Sequence, residues 1–152
     1  MGLFSFRKTI HFFSEKEQED IVLAIRTQEK RTSGEIRVFV ESRCRFVDPV
    51  DRAMEVFASL NMGKTEHRNG VIIYIAYKEH QLAIYGDQGI HEKLGEEFWN
   101  TEVAKILHAF NSEHFSEGII HIINDVGNAL YIHFPYDRSD KNELPDDIVF
   151  GH

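Results

Sequence analysis

A single cysteine, Cys44, excludes an intramolecular disulfide and any zinc cluster built on Cys ligands. Its neighbours Arg43 and Arg45 could lower the thiol pKa, but no His motif lies nearby, and it reads as an incidental cysteine at a strand end. Long apolar runs are missing too. Nowhere do about 18 apolar residues follow one another, which excludes a membrane-spanning helix. In residues 1–13, Arg7, Lys8 and His11 interrupt the hydrophobic residues, unlike a signal peptide. Phe6 stands where a myristoylation signal needs Ser or Thr. A cytoplasmic location is the resulting expectation. Basic residues are outnumbered, 17 against 25 acidic ones, giving a net charge of −8. With no Lys/Arg stripe carrying interleaved aromatics, nucleic acid and anionic membranes are poor partners. Catalytic signatures of the H-E-x-x-H, G-x-S-x-G, P-loop and dinucleotide Gly types are absent, and G-D-Q-G-I-H lacks the required spacing.

What is present suits one globular domain. A chain of 152 residues with 42% hydrophobic and 28% charged residues can bury a sizeable core. Ser14-Glu15-Lys16-Glu17 is a capping box that predicts a helix from there to about Arg31, ended by Thr32-Ser33-Gly34. Residues 35–42, E-I-R-V-F-V-E-S, predict a strand with Ile36, Val38 and Val40 on one face. Asp48-Pro49 predicts a second helix, carrying Val50, Ala53, Met54, Phe57 and Leu60 at helical spacing. The run at 71–77 has almost no polar interruption and predicts a strand covered on both faces, at the sheet centre. Residues 81–85 return beside it, and a short helical turn follows around 90–94. Trp99, Val103, Ile106 and Phe110 mark a helix over about 95–111. Ile119, Ile122, Ile123, Val126, Ala129 and Leu130 mark another from near Ser116. The domain is expected over 14–133, with an N-terminal extension at 1–13 and a polar, mobile tail at 134–152.

Topology gathers three segments. A strand, a crossover helix and a second strand form a βαβ unit with parallel strands, so Glu35 and Asn69-Gly70 share one edge of the sheet. The third strand runs antiparallel to the second and brings Gly86-Asp87 to the same edge. The edge therefore offers two carboxylates, Glu35 and Asp87, the neutral oxygen of Asn69, and backbone carbonyls from loops 61–70 and 86–89. Hard oxygen donors of mixed charge are what Ca²⁺ or Mg²⁺ requires. Plain structural roles exist for each: a strand-end charge at Glu35, turn chemistry at Asn69-Gly70, and a loop or helix cap at Asp87. His67, beside Arg68, could contact a phosphate or act as an acid or base.

The blocks T-S-G-E-I-R-V (32–38), L-N-M-G-K-T-E-H-R-N-G-V-I-I-Y-I-A (60–76) and I-Y-G-D-Q-G-I (84–90), followed by two helices, resemble a TPM domain. That family is named for a thylakoid lumen protein, a photosystem II repair factor and a nematode receptor modulator. R-N-G-V and G-D-x-G-I are the most specific parts of the resemblance. It implies a Rossmann-like α/β/α sandwich around a mixed sheet, and a crevice for a divalent metal. By motif the site passes to Glu35, Arg68, Asn69 and Asp87, with Gly86 and Gly89. Acid phosphatase activity has been proposed for plant members. It implies an alternative in which Asp87 attacks a phosphomonoester or positions water while Arg68 neutralises charge. Three readings stand at this point: a cation-binding module working with a protein partner, a metal-assisted phosphatase, and a structural or interaction module whose polar edge only terminates strands.

Overall fold

Local sequence signals place most of the elements. The computed structural model describes residues 12–107, 114–136 and 148–151. Helix α1 (Glu15–Glu29) opens on the expected capping box: Glu17 N donates to Ser14 Oγ at 3.1 Å, and Ser14 N donates to Glu17 Oε1 at 2.9 Å. Strand β1 (Glu35–Glu41) follows, then helix α2 (Pro49–Ser59), whose N-cap Asp48 accepts from Val50 N at 2.9 Å. A 3₁₀ turn (Met62–Lys64) leads into β2 (Gly70–Ala76) and β3 (Gln81–Gly86). Next come α3 (Gln88–Leu94), α4 (Glu96–Leu107), α5 (Phe115–His133) and a short β4 (Val149–Phe150). Phe110, expected on α4, lies outside the described residues.

The sheet has the order β3-β2-β1-β4. β1 pairs in parallel with β2 and β4, and β2 pairs antiparallel with β3. This is the mixed sheet expected from the βαβ unit and hairpin. β2 is an inner strand with every residue buried, as its unbroken apolar run requires.

Period-two alternation sorts the side chains onto two faces. Val38, Val40, Val71, Ile73 and Ile84 join the larger core, to which α1, α3, α4 and α5 contribute. Phe39, Ile72, Tyr74 and Ala83 meet α2 in the smaller one. The result is an α/β/α sandwich with unequal layers. The α2 stripe is narrower than its spacing suggests: Ala53, Val56 and Phe57 are buried, whereas Val50 and Met54 are exposed.

The segment expected to be a mobile tail is structured where it is described. Ser33 N donates to Phe134 O, and Tyr136 N to Arg31 O, folding 134–136 back beside the entry to β1. Ile148 is buried in the larger core, and Phe39↔Val149 and Val40↔Phe150 add β4 to the sheet. Three apolar residues after a polar stretch are too few to show a period, and only an open strand edge gives them a role.

Candidate functional site

β3 ends at Gly86, and the next residue performs two backbone tasks. Asp87 N donates to Gly70 O at 2.9 Å, extending the ladder. The Asp87 carboxylate then caps α3 by accepting from Gln88 N at 2.8 Å. This carboxylate is only 1% exposed, and such a charge needs a partner. Arg68 provides it through a fork, Nε to Oδ2 and Nη2 to Oδ1, both at 2.7 Å. That contact raises the guanidinium's already high pKa, so Arg68 stays charged.

The loop that carries Arg68 is fixed by its backbone. Arg68 takes a positive φ of 51°, its N–H donates to Thr65 O at 3.3 Å, and its carbonyl accepts from Gly89 N at 2.8 Å. Glycine at 89 is what allows that approach, since a Cβ there would lie 2.1 Å from His67 O and 2.7 Å from Arg68 O. The loop is thereby laid against the first turn of α3. Gly63 faces the ion pair: a Cβ there would lie 4.0 Å from both Arg68 Nη2 and Asp87 Oδ2.

The three segments reach one edge as the topology requires. Glu35 stands opposite Gly70 in the β1–β2 register, and Gly70 bonds to Asp87 on its other side. Two strand spacings, about 10 Å, therefore separate the Glu35 and Asp87 backbones. The side-chain-free Gly70 between them is overlain by the Met62 carbonyl and the Phe57 ring, which a Cβ would meet at 3.2 and 3.5 Å. Glu35 is 3% exposed, which rules out a surface strand-end charge. Asn69 N donates to Thr65 Oγ1 at 3.3 Å, and Asn69 Nδ2 donates to Ser33 Oγ at 3.1 Å. Its Oδ1 is buried and has no hydrogen-bond partner among the described residues.

Gly86 makes room for Trp99, whose ring would lie 2.3 Å from a Cβ at that position. Trp99 Nε1 donates to His91 Nδ1 at 3.0 Å. His67 stands near the aromatic Phe134, with ring centroids 6.1 Å apart. Sequence reasoning missed Thr65, which bonds Asn69 four positions on, and Ser33, Tyr85 and Trp99, whose contacts with Asn69, Phe57 and Gly86 join separate segments of the chain. Tyr85 meets Phe57 edge to face at 5.0 Å. Burial raises its phenol pKa, Asp87 raises it further, and Arg68 opposes the rise.

Among the described residues no group of three or more His, Cys, Asp or Glu is arranged to hold a metal. A cation at this edge would rest on few charges and several neutral oxygens: the Asp87 carboxylate, the orphaned Asn69 Oδ1, loop carbonyls, and Glu35 from across Gly70. That donor set fits a hard divalent ion. Arg68 and Gln88 N already engage the Asp87 oxygens, so a nucleophilic role and a bound cation alike would require the fork to open.

Comparison with known proteins agrees with this architecture. The NMR structure of the BA42 protein from the psychrophilic bacterium Bizionia argentinensis is 41% identical, with a TM-score of 0.83 over 95% of this chain and 99% of that one. The N-terminal domain of the cg2496 protein from Corynebacterium glutamicum is 18% identical, with a TM-score of 0.58 over 92% of this chain and 82% of that one, and shares the fold. No curated protein matches the chain. Among the described residues no helix is long and apolar enough to cross a membrane. The model of the TPM domain matches residues 7–129, and the chain therefore belongs to the TPM domain family.

Proposed function

We propose that this domain binds a divalent cation, Ca²⁺ or Mg²⁺, at the sheet edge where β1, β2 and β3 meet. Asp87 supplies the charge, Asn69 Oδ1 and loop carbonyls supply neutral oxygens, and Glu35 adds a second carboxylate from across Gly70. One observation carries the reading. Asn69 is 1% exposed and leaves an acceptor oxygen unpartnered among the described residues, one position from the Gly70–Asp87 bond. A buried orphan acceptor costs about 1–3 kcal/mol, and a cation that it can ligate removes that cost.

Trp99, the single tryptophan, packs on Gly86, the residue before Asp87, and offers a fluorescence probe of this end of β3. Titrating Ca²⁺ and Mg²⁺ separately into chelator-treated protein should change that fluorescence saturably. At a concentration 100 times Kd the cation should add about 2.7 kcal/mol to stability. Asp87→Asn should abolish both effects, and Asn69→Ala should weaken them. A cation response that persists in Asp87→Asn would place binding elsewhere and defeat the proposal.

A further inference from the structure

Arg68 occupies the group that a cation would need. Its fork takes both Asp87 oxygens, so a divalent ion cannot engage this carboxylate until the guanidinium gives up at least one of them. The two partners are unequally placed, with the Arg68 side chain 52% exposed and that of Asp87 1% exposed. The guanidinium can move into water with little change in its solvation, whereas the carboxylate is fixed as the cap of α3. The loop need not move, because Thr65 and Gly89 hold the backbone of Arg68. Gly63 places no side chain in the guanidinium's way.

We infer that Arg68 is a built-in competitor for the cation: its side chain closes the Asp87 carboxylate in the cation-free protein and swings into solvent when a divalent ion binds. The inference rests on the cation-binding reading above and adds its regulation. A closed pair lowers apparent affinity by the fraction of molecules in which Asp87 is open. With about one molecule in ten open, removing the guanidinium raises affinity about tenfold. Cation and guanidinium then alternate at one carboxylate, so the buried charge is compensated in either state.

The test is calorimetric titration of Ca²⁺ and Mg²⁺ into the full chain, comparing wild type, Arg68→Ala, Arg68→Gly, Arg68→Lys and Asp87→Asn. Arg68→Gly is included because glycine suits the positive φ at this position and guards against a folding defect. Arg68→Ala and Arg68→Gly are expected to bind about tenfold tighter than wild type. Arg68→Lys should fall between, since an ammonium keeps the charge without the fork, and Asp87→Asn should not bind. In wild type, the Arg68 Nε–H resonance should move on saturation to the shift of a solvent-exposed guanidinium. Equal or weaker binding by Arg68→Ala and Arg68→Gly, with wild type still binding, overturns the competitor and leaves the cation site standing. No binding by any variant overturns the cation reading, and the competitor with it.

Discussion

Two arginine–carboxylate forks lie on the α2 face of the sheet, at opposite ends, and they differ in how firmly the arginine is held. At the carboxyl end of β1, Arg52 reaches Glu41 through Nε at 2.8 Å and Nη2 at 2.9 Å. Glu41 also accepts from the buried Tyr74 hydroxyl, Arg52 bonds Glu55, and its guanidinium lies over the Phe39 ring. At the other end Arg68 holds Asp87 with equal geometry from a loop, and its side chain is about twice as exposed, 52% against 24% for Arg52. The chemistry is the same in both. The difference is that Arg52 is tied down by a network, so losing it breaks several contacts, while Arg68 has water as an alternative partner. Geometry alone does not separate a structural ion pair from an exchangeable one; the second set of contacts does.

The largest effect should come from breaking the tied pair. Glu41→Ala removes the acceptor of the Tyr74 hydroxyl and leaves the half-buried Arg52 guanidinium only Glu55, and should cost about 3 kcal/mol in urea unfolding. A cost below about 1 kcal/mol would remove the distinction between the two ends, since it would make both pairs surface-like. Next comes Gly89→Ala, which disturbs the Arg68–Asp87 pair through the loop backbone and leaves its two side chains in place. Its Cβ would collide with the carbonyls of His67 and Arg68. About 2 kcal/mol should be lost, together with the cation response of Trp99.

Arginine removal compares the ends directly. Arg68→Ala should destabilise the cation-free protein less than Arg52→Ala in parallel thermal melts. Raising salt to 1 M, where the screening length is about 3 Å, should shrink the Arg68 effect more than the Arg52 effect. Reversal of either order would show that Arg68 is the structural residue. The smallest effect is on the tyrosine beside each pair. Burial raises the pKa of both Tyr74 and Tyr85, and the adjacent carboxylate raises it further. Removing that negative charge makes the phenolate easier to form, so Asp87→Asn should lower the Tyr85 pKa and Glu41→Gln that of Tyr74. Titration of ring-labelled protein checks both, and an upward move at Tyr85 would mean that Arg68, not Asp87, sets its field.

Much of the fold was legible because its signals are local. The capping box at Ser14, Asp48-Pro49 before α2, the unbroken apolar run of β2 and the stripe on α5 each operate within a few residues. The βαβ rule then brought Glu35, Asn69-Gly70 and Gly86-Asp87 to one edge, and the register agrees. β4 was not legible, since Val149 and Phe150 become a strand only against the free edge of β1.

The candidate site divides in the same way. Sequence by itself determined which oxygens arrive at the sheet edge, because strand direction and alternation follow from hydrophobic pattern and chain connectivity. Only the tertiary structure decided that Asp87 is buried in the grip of Arg68, that Glu35 stands two strands away, and that Asn69 keeps an unpartnered oxygen among the described residues. Those outcomes depend on solvent exclusion and on side chains up to 36 positions apart, as with Asn69 and Ser33. Pattern and period carry no information about either.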